Sequence, residues 1–205
     1  MRGLAVKVAL VLMASTVSVP AWAQVDRQVR GFIGATFAGH STFVDLTKED
    51  APSNPHVAIG AQAAWIWNVL GVEADFADTP GFFEGAGSHL ITSSRVTTLT
   101  GNVVVAVPRS VAEYSLRLYF VGGGGIMLVR FNTGELPTPV YDISKGVPAV
   151  DFGFGALGLL TNKIGLAWEL RRFQRVGGPP PLTGISFGGE ELSYWRAHMA
   201  FVFRY

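Results

Sequence analysis

Few side chains in this sequence could do chemistry. The histidines are His40, His56, His89 and His198, with Ser41 following His40 and Ser88 preceding His89. A serine beside a histidine is the start of a nucleophile–base pair, which also needs an orienting carboxylate. Neither pair lies in a recognisable nucleophile motif, and both fall in polar stretches that read as loops. Solvated loop residues are the simpler reading. The run Gly122–Gly125 lacks the following Lys-Ser/Thr and helix of a phosphate loop. It reads instead as relief of crowding within a strand. There is no cysteine, which excludes disulfide frameworks, thiolate zinc sites, a cysteine nucleophile and a lipid-anchored start. No metal constellation is visible. The expectation is therefore no catalytic residue, no cofactor and no metal.

The charged residues that remain are placed by a period of two, which argues for strands. At 195–205 every odd residue is apolar or aromatic: Trp195, Ala197, Met199, Phe201, Phe203 and Tyr205. Arg196, His198 and Arg204 lie among the residues between them. Successive side chains on a strand point to opposite faces, so one face is apolar and the other carries charge. The same separation sets Leu166, Trp168 and Leu170 against Glu169 and Arg171. It sets Val72, Ala74 and Phe76 against Glu73 and Asp75. Leu116, Leu118 and Phe120 stand opposite Arg117 and Tyr119, and Phe152 and Phe154 opposite Asp151. Eight such segments can be drawn, at 28–38, 56–67, 71–78, 93–107, 114–130, 148–160, 164–174 and 191–205. Short connections (68–70, 108–113, 161–163) alternate with long ones rich in Gly, Pro, Ser and Thr (39–55, 79–92, 131–147, 174–190). That layout predicts an all-β fold, an eight-stranded antiparallel up-and-down barrel with turns at one rim and loops at the other.

The chain has 205 residues, of which 49% are hydrophobic and 15% charged. A soluble domain carries about a quarter charged residues. Disorder and strongly basic nucleic-acid binding are both excluded, the second by a formal net charge of +1. Arg2 and Lys7, the apolar run 8–19 and the triplet Ala21-Trp22-Ala23 form the three parts of a secretory signal peptide. Cleavage after Ala23, with Ala21 as the other small residue, is expected to leave a barrel domain at 24–205. Without Arg2 and Lys7 the 16 basic residues fall to 14, against 15 acidic, so the exported chain is near neutral.

Alternation alone does not say which face is inside. Three features point to a membrane barrel, apolar on the outside. The lysines of the exported chain, Lys48, Lys145 and Lys163, all fall in connections, where a water-facing wall would carry some itself. Trp65, Trp67, Trp168 and Trp195 fall near segment ends, as an interface girdle would. The last alternating segment closes on an aromatic residue. With that orientation Glu73, Asp75, Arg117, Asp151, Glu169, Arg171, Arg196, His198 and Arg204 share the interior. An eight-stranded barrel is just wide enough to be filled by its own side chains. Crowded charges there must pair, since an unpaired buried charge is expensive. A plugged lumen is expected, with Glu169 and Arg171 pairing with Arg196, His198 and Arg204.

The segments GVEADF (71–76), GNVVVAVP (101–108), RLYFVGGGG (117–125), GFGALGLL (153–160), IGLAWELRRF (164–173) and RAHMAFVFRY (196–205) carry a family resemblance. Together they resemble the small eight-stranded outer-membrane barrels of Gram-negative bacteria, the OmpA-like, porin-like group. The resemblance implies location in the cell outer membrane and outer-membrane lipid as surroundings. It implies barrel-assembly machinery and periplasmic chaperones as partners during biogenesis, no nucleic acid, and a monomer. Met199, Phe201, Phe203 and Tyr205 map onto that family's terminal assembly signal. Peptidoglycan binding, which belongs to a separate domain in OmpA proteins, is not carried over. The leading functional reading is a non-enzymatic barrel with a structural or surface-interaction role and an unassigned extracellular ligand. The alternatives are a narrow porin-like channel for small solutes and, third, a lipid-modifying outer-membrane enzyme.

Overall fold

The computed structural model describes residues 25–41, 55–83, 93–112, 116–132, 143–177 and 192–205. Residues 1–23, expected from the sequence to be a signal peptide with Ala21 and Ala23 at its cleavage site, lie outside them, as do Ser88 and His89. The eight strands are β1 (Asp26–Ser41), β2 (His56–Ile66), β3 (Leu70–Pro80), β4 (Ser93–Ala106), β5 (Leu116–Asn132), β6 (Ile143–Leu159), β7 (Ile164–Arg175) and β8 (Leu192–Arg204). Each pairs antiparallel with its sequence neighbours, and β8 closes on β1, giving a closed barrel. Closure pairs the backbone of every strand and leaves no edge, the condition for a sheet in hydrocarbon.

The short connections are built by the chain's own turn residues. Trp67 N–H donates to Leu70 O (2.8 Å) in the first. In the third, Thr161 Oγ1 accepts from the backbone N–H of Ile164 at 3.0 Å. β1 and β6 run further than alternation alone predicts, β6 beginning already at Ile143. Lys145 therefore lies in a strand and not in a connection. Pro148 sits within β6, opposite Ile126 of β5, but pairing with β7 starts only at Ala149. The missing N–H thus falls at the loop end of the β6–β7 ladder, where Pro148 O still accepts from Val176 N–H at 3.0 Å; at a ladder end proline is tolerated. His40 and Ser41 likewise belong to the end of β1, paired with Ser193 and Leu192 after a bulge between Phe37 and His40.

Burial follows the pleat. In β3 buried and exposed residues alternate almost without break. The exposed side is apolar: Val72 and Phe76 on β3, Leu118 and Phe120 on β5, Phe152 and Phe154 on β6, Met199, Phe201 and Phe203 on β8. Phe120 leaves 66% of its surface uncovered. A water-soluble monomer rarely exposes so continuous an apolar surface. On a transmembrane barrel that surface meets lipid.

The interior is layered. Toward the turn rim Ala64, Ile66, Val104, Leu157, Ala167 and Val202 form one apolar cluster. Toward the loop rim Phe82, Val96, Met127, Val129, Phe173 and Tyr194 form another. Phe173 and Tyr194 stack there, with ring centroids 5.1 Å apart. A layer of buried charged residues, Arg30, Glu73, Glu169 and Arg171 among them, lies between.

Candidate functional site

The middle layer draws a polar side chain from all eight strands: Arg30, Gln62, Glu73, Asp75, Asn102, Tyr119, Asp151, Glu169, Arg171, Arg196 and His198, all buried. Their meeting follows from the register. Glu169 is the Cα partner of His198, and Arg171 of Arg196. Arg30 comes from β1, which closes the barrel against β8.

Glu169 is the centre. Its Oε1 accepts from Arg30 Nη1 (2.8 Å) and from the Tyr119 hydroxyl (2.5 Å). Its Oε2 accepts from Arg171 Nε (2.6 Å) and Gln62 Nε2 (3.0 Å), and His198 Nε2 stands 3.2 Å away. Arg171 also reaches across the lumen, its Nη2 donating to Glu73 Oε1 at 2.6 Å and its Nη1 to Asp151 Oδ2 at 3.3 Å. Its own side chain has no exposed surface. Arg196 donates to Asp75 Oδ2 (2.6 Å), which also accepts from Gln62 (3.0 Å). The Arg196 guanidinium lies between two rings, 4.7 Å from the centroids of Phe32 and Phe173. Such cation–π faces suit a guanidinium withdrawn from water. Three guanidinium groups thus face four carboxylates and one imidazole, in a layer closed above and below by apolar side chains.

Arg117 and Arg204 do not join this layer, a correction to the expectation that places both in one interior network. They stand at the turn rim around Asp26. Arg109 Nη2 and Arg204 Nε each lie 2.6 Å from an Asp26 oxygen, and Arg117 Nη1 lies 3.7 Å away. Arg117 also donates to the backbone carbonyls of Asn68 (2.7 Å) and Val107 (2.9 Å). The cluster ties two turns and the last strand to the start of β1. Arg196 is brought beside Arg171 in the ladder, but its carboxylate partner is Asp75.

Among the terminal-strand residues, Met199, Phe201, Phe203 and Tyr205 are all exposed on the outer face. Of the tryptophans, Trp65 and Trp67 lie at the turn rim. Trp195 is near the loop end of β8, over the Arg172 guanidinium at 5.6 Å. Trp168 departs from the girdle expectation. It is the Cα partner of Met199 and of Ala156, several residues above the turn, so it stands on the wall and not at its edge.

Gln62, Tyr119, Asn102 and the rim residues Asp26 and Arg109 are not among the interior charges expected from the sequence. Gln62 carries the alternation signal, a lone polar residue in an apolar run. Arg30 is placed by its position on the strand that must close the barrel. The signal for Asp26 and Arg109 is only that charge sits beside a turn.

Among the described residues no three His, Asp or Glu side chains are grouped to hold a metal. A G-x-S-x-G pentapeptide at 184–188 lies outside the described residues. That motif acts from a strand-to-helix turn, and the elements flanking this segment are both strands.

A closed antiparallel barrel of eight strands, apolar outside and charged inside, defines the class: this is the fold of the eight-stranded transmembrane β-barrels. Solved structures share it. The chain is similar to Neisserial surface protein A (NspA), with a TM-score of 0.62 and 8% identity over 89% of this chain and 99% of that one. It is similar to the outer-membrane protein OprG from Pseudomonas aeruginosa, with a TM-score of 0.51 and 13% identity over 89% and 96%. The N-terminal β-barrel domain of Pseudomonas aeruginosa OprF gives 0.50 and 10% over 88% and 97%. At these identities the likeness is one of fold. No family model matches the chain. No curated protein sequence matches it either.

Proposed function

We propose that this chain is a non-enzymatic integral protein of the outer membrane, a plugged barrel with a structural or surface-interaction role. The observation that carries the reading is the middle layer, where Arg30, Arg171 and Arg196 cross the lumen to Glu73, Asp75, Asp151 and Glu169. Moving an ion through it requires breaking several buried pairs at once, and each broken pair strands a charge. The apolar layers on either side add a second barrier. Both features weigh against the channel reading. Function on such a scaffold belongs to the connections at the loop rim.

Outer-membrane lipid is the solvent of the wall. Assembly machinery and chaperones would act during insertion, through the terminal strand that carries Met199, Phe201, Phe203 and Tyr205. The working unit is a monomer. Planar-bilayer recording on purified protein tests the plug. The expected record has no discrete conductance steps; reproducible single-channel steps would favour the narrow channel instead.

A further inference from the structure

The outward wall, largely apolar, carries a charged patch near the loop rim. Near the loop ends of β3, β4 and β5, Asp78, Arg95, Thr97 and Arg130 border a groove on the outside of the barrel. Arg95 and Arg130 are direct Cα partners across the β4–β5 ladder. Like charges placed directly opposite on one sheet face are destabilising. Guanidinium groups on a lipid-facing wall are tolerable only near the interface. Asp78 offsets one of the two: its Oδ2 lies 3.5 Å from Arg95 Nε, and the Arg95 side chain remains 53% exposed. Thr97 Oγ1 donates to the other Asp78 oxygen at 2.8 Å and fixes that carboxylate. The patch therefore presents two guanidinium groups against one carboxylate.

Below these charges the same groove runs over Ile33, Ile59, Phe76 and Leu128. Its floor is low at Gly31, where even an added Cβ would meet nothing within 4 Å. A positive head above an apolar trough is complementary to an amphiphile with an anionic head. Guanidinium forks suit phosphate in particular, which they bind through paired charge-assisted hydrogen bonds. A free phosphate would satisfy the charges but leave the trough unused.

We infer that Arg95 and Arg130 form a binding site for the phosphate of an outer-leaflet lipid, whose acyl chains lie along the groove beneath. The inference rests on the reading of the chain as an outer-membrane barrel with its loops outside. It is tested on purified barrel in neutral detergent, where the outcome does not depend on orientation in a cell.

Native mass spectrometry of the folded protein, titrated with diphosphoryl lipid A and with its dephosphorylated form, reads the site. R95Q/R130Q should weaken binding of the diphosphoryl form at least about tenfold, the scale of losing charge-assisted hydrogen bonds. It should leave the dephosphorylated form unaffected. R27Q, at the opposite rim, should bind like the parent chain. Inorganic phosphate at millimolar concentration should not compete. Equal binding by parent and double variant would overturn the site. Competition by inorganic phosphate would overturn the lipid as its occupant. Heat-modifiable gel mobility must show each variant folded, and R130Q alone carries the test if the double variant does not fold. Failure of the parent chain to insert into vesicles would sink the barrel reading itself, a separate result.

Discussion

At the residue scale, the molecule depends on where single charges and single methyl groups fall. Glu169 accepts from Arg30, Arg171, Gln62 and Tyr119, with His198 beside it. Replacing it by alanine leaves buried cations without their shared acceptor. Removing one partner of a buried pair costs about 3–5 kcal/mol. E169A should therefore unfold at clearly lower urea concentration while keeping its strand content, read by circular dichroism in detergent. A denaturation midpoint equal to that of the parent would mean the layer is not dry.

Gly155 makes a sharper local case. A Cβ there would come 2.5 Å from the Tyr119 ring and 2.8 Å from Glu169 Cγ, whereas at Gly31 it would meet open space. G155A should destabilise, by about 1–3 kcal/mol if it behaves as an overpacked core. G31A should be close to neutral in the same unfolding assay. The reverse order would place Gly155 outside the packed interior.

At the element scale, the alternation that makes each strand legible is also its limit. Period two reports which face a residue takes, and it reads Glu73, Asp75, Glu169 and Arg171 as inward and Phe120, Phe154 and Phe201 as outward, as the barrel has them. It does not report height. Height depends on the stagger between strands, set by closure of the whole ring. Arg117 and Arg204 therefore share a face with the middle layer yet lie at the rim with Asp26. Trp168 stands close to a turn in sequence, and stagger puts it level with Met199. Partners such as Arg171 and Glu73, 98 residues apart, meet across the lumen and have no local signature. The extra length of β6 has no clear local signal, because Pro148 interrupts it; the proline is accepted because it stands at the end of the β6–β7 ladder.

Height gives a prediction for β8. Met199 is paired with Ile33 and Trp168 well inside the wall, and Tyr205 follows the strand end at the turn rim, its N–H on Arg27 O. An arginine near the bilayer midplane costs about 2–4 kcal/mol, falling to about 0–1 near the interface. M199R should lower the folded fraction in vesicles far more than Y205R, measured by heat-modifiable gel mobility after urea titration. Equal effects would mean that this face does not cross the hydrocarbon.

At the scale of the whole molecule, one sequence pattern serves two solvents. The outer face meets hydrocarbon, and the inner face makes its own polar medium from paired ions. With an even number of strands both ends of the barrel lie at the turn rim, which on this reading faces the periplasm. An epitope tag inserted within 42–54 or 178–191 should be labelled on intact cells, and one at Arg109–Ser110 should not. Labelling only at the turn would invert the orientation and move the Arg95–Arg130 patch to the inner leaflet.

The central claim is that this barrel is apolar outside and sealed inside, and two adjacent residues test it. The sequence has no cysteine, so single cysteines can be placed at Phe120, which is exposed, and at Val121, which is buried in the lumen. Each is reacted with a fluorescent thiol label after folding into vesicles of lipids with brominated acyl chains. The account predicts that a label at position 120 is strongly quenched by the bromines and ignored by aqueous iodide. The cysteine at 121 should not react until the protein is unfolded. A label at 121 that attaches to the folded barrel and is quenched by bromines, with position 120 quenched by iodide, would contradict it.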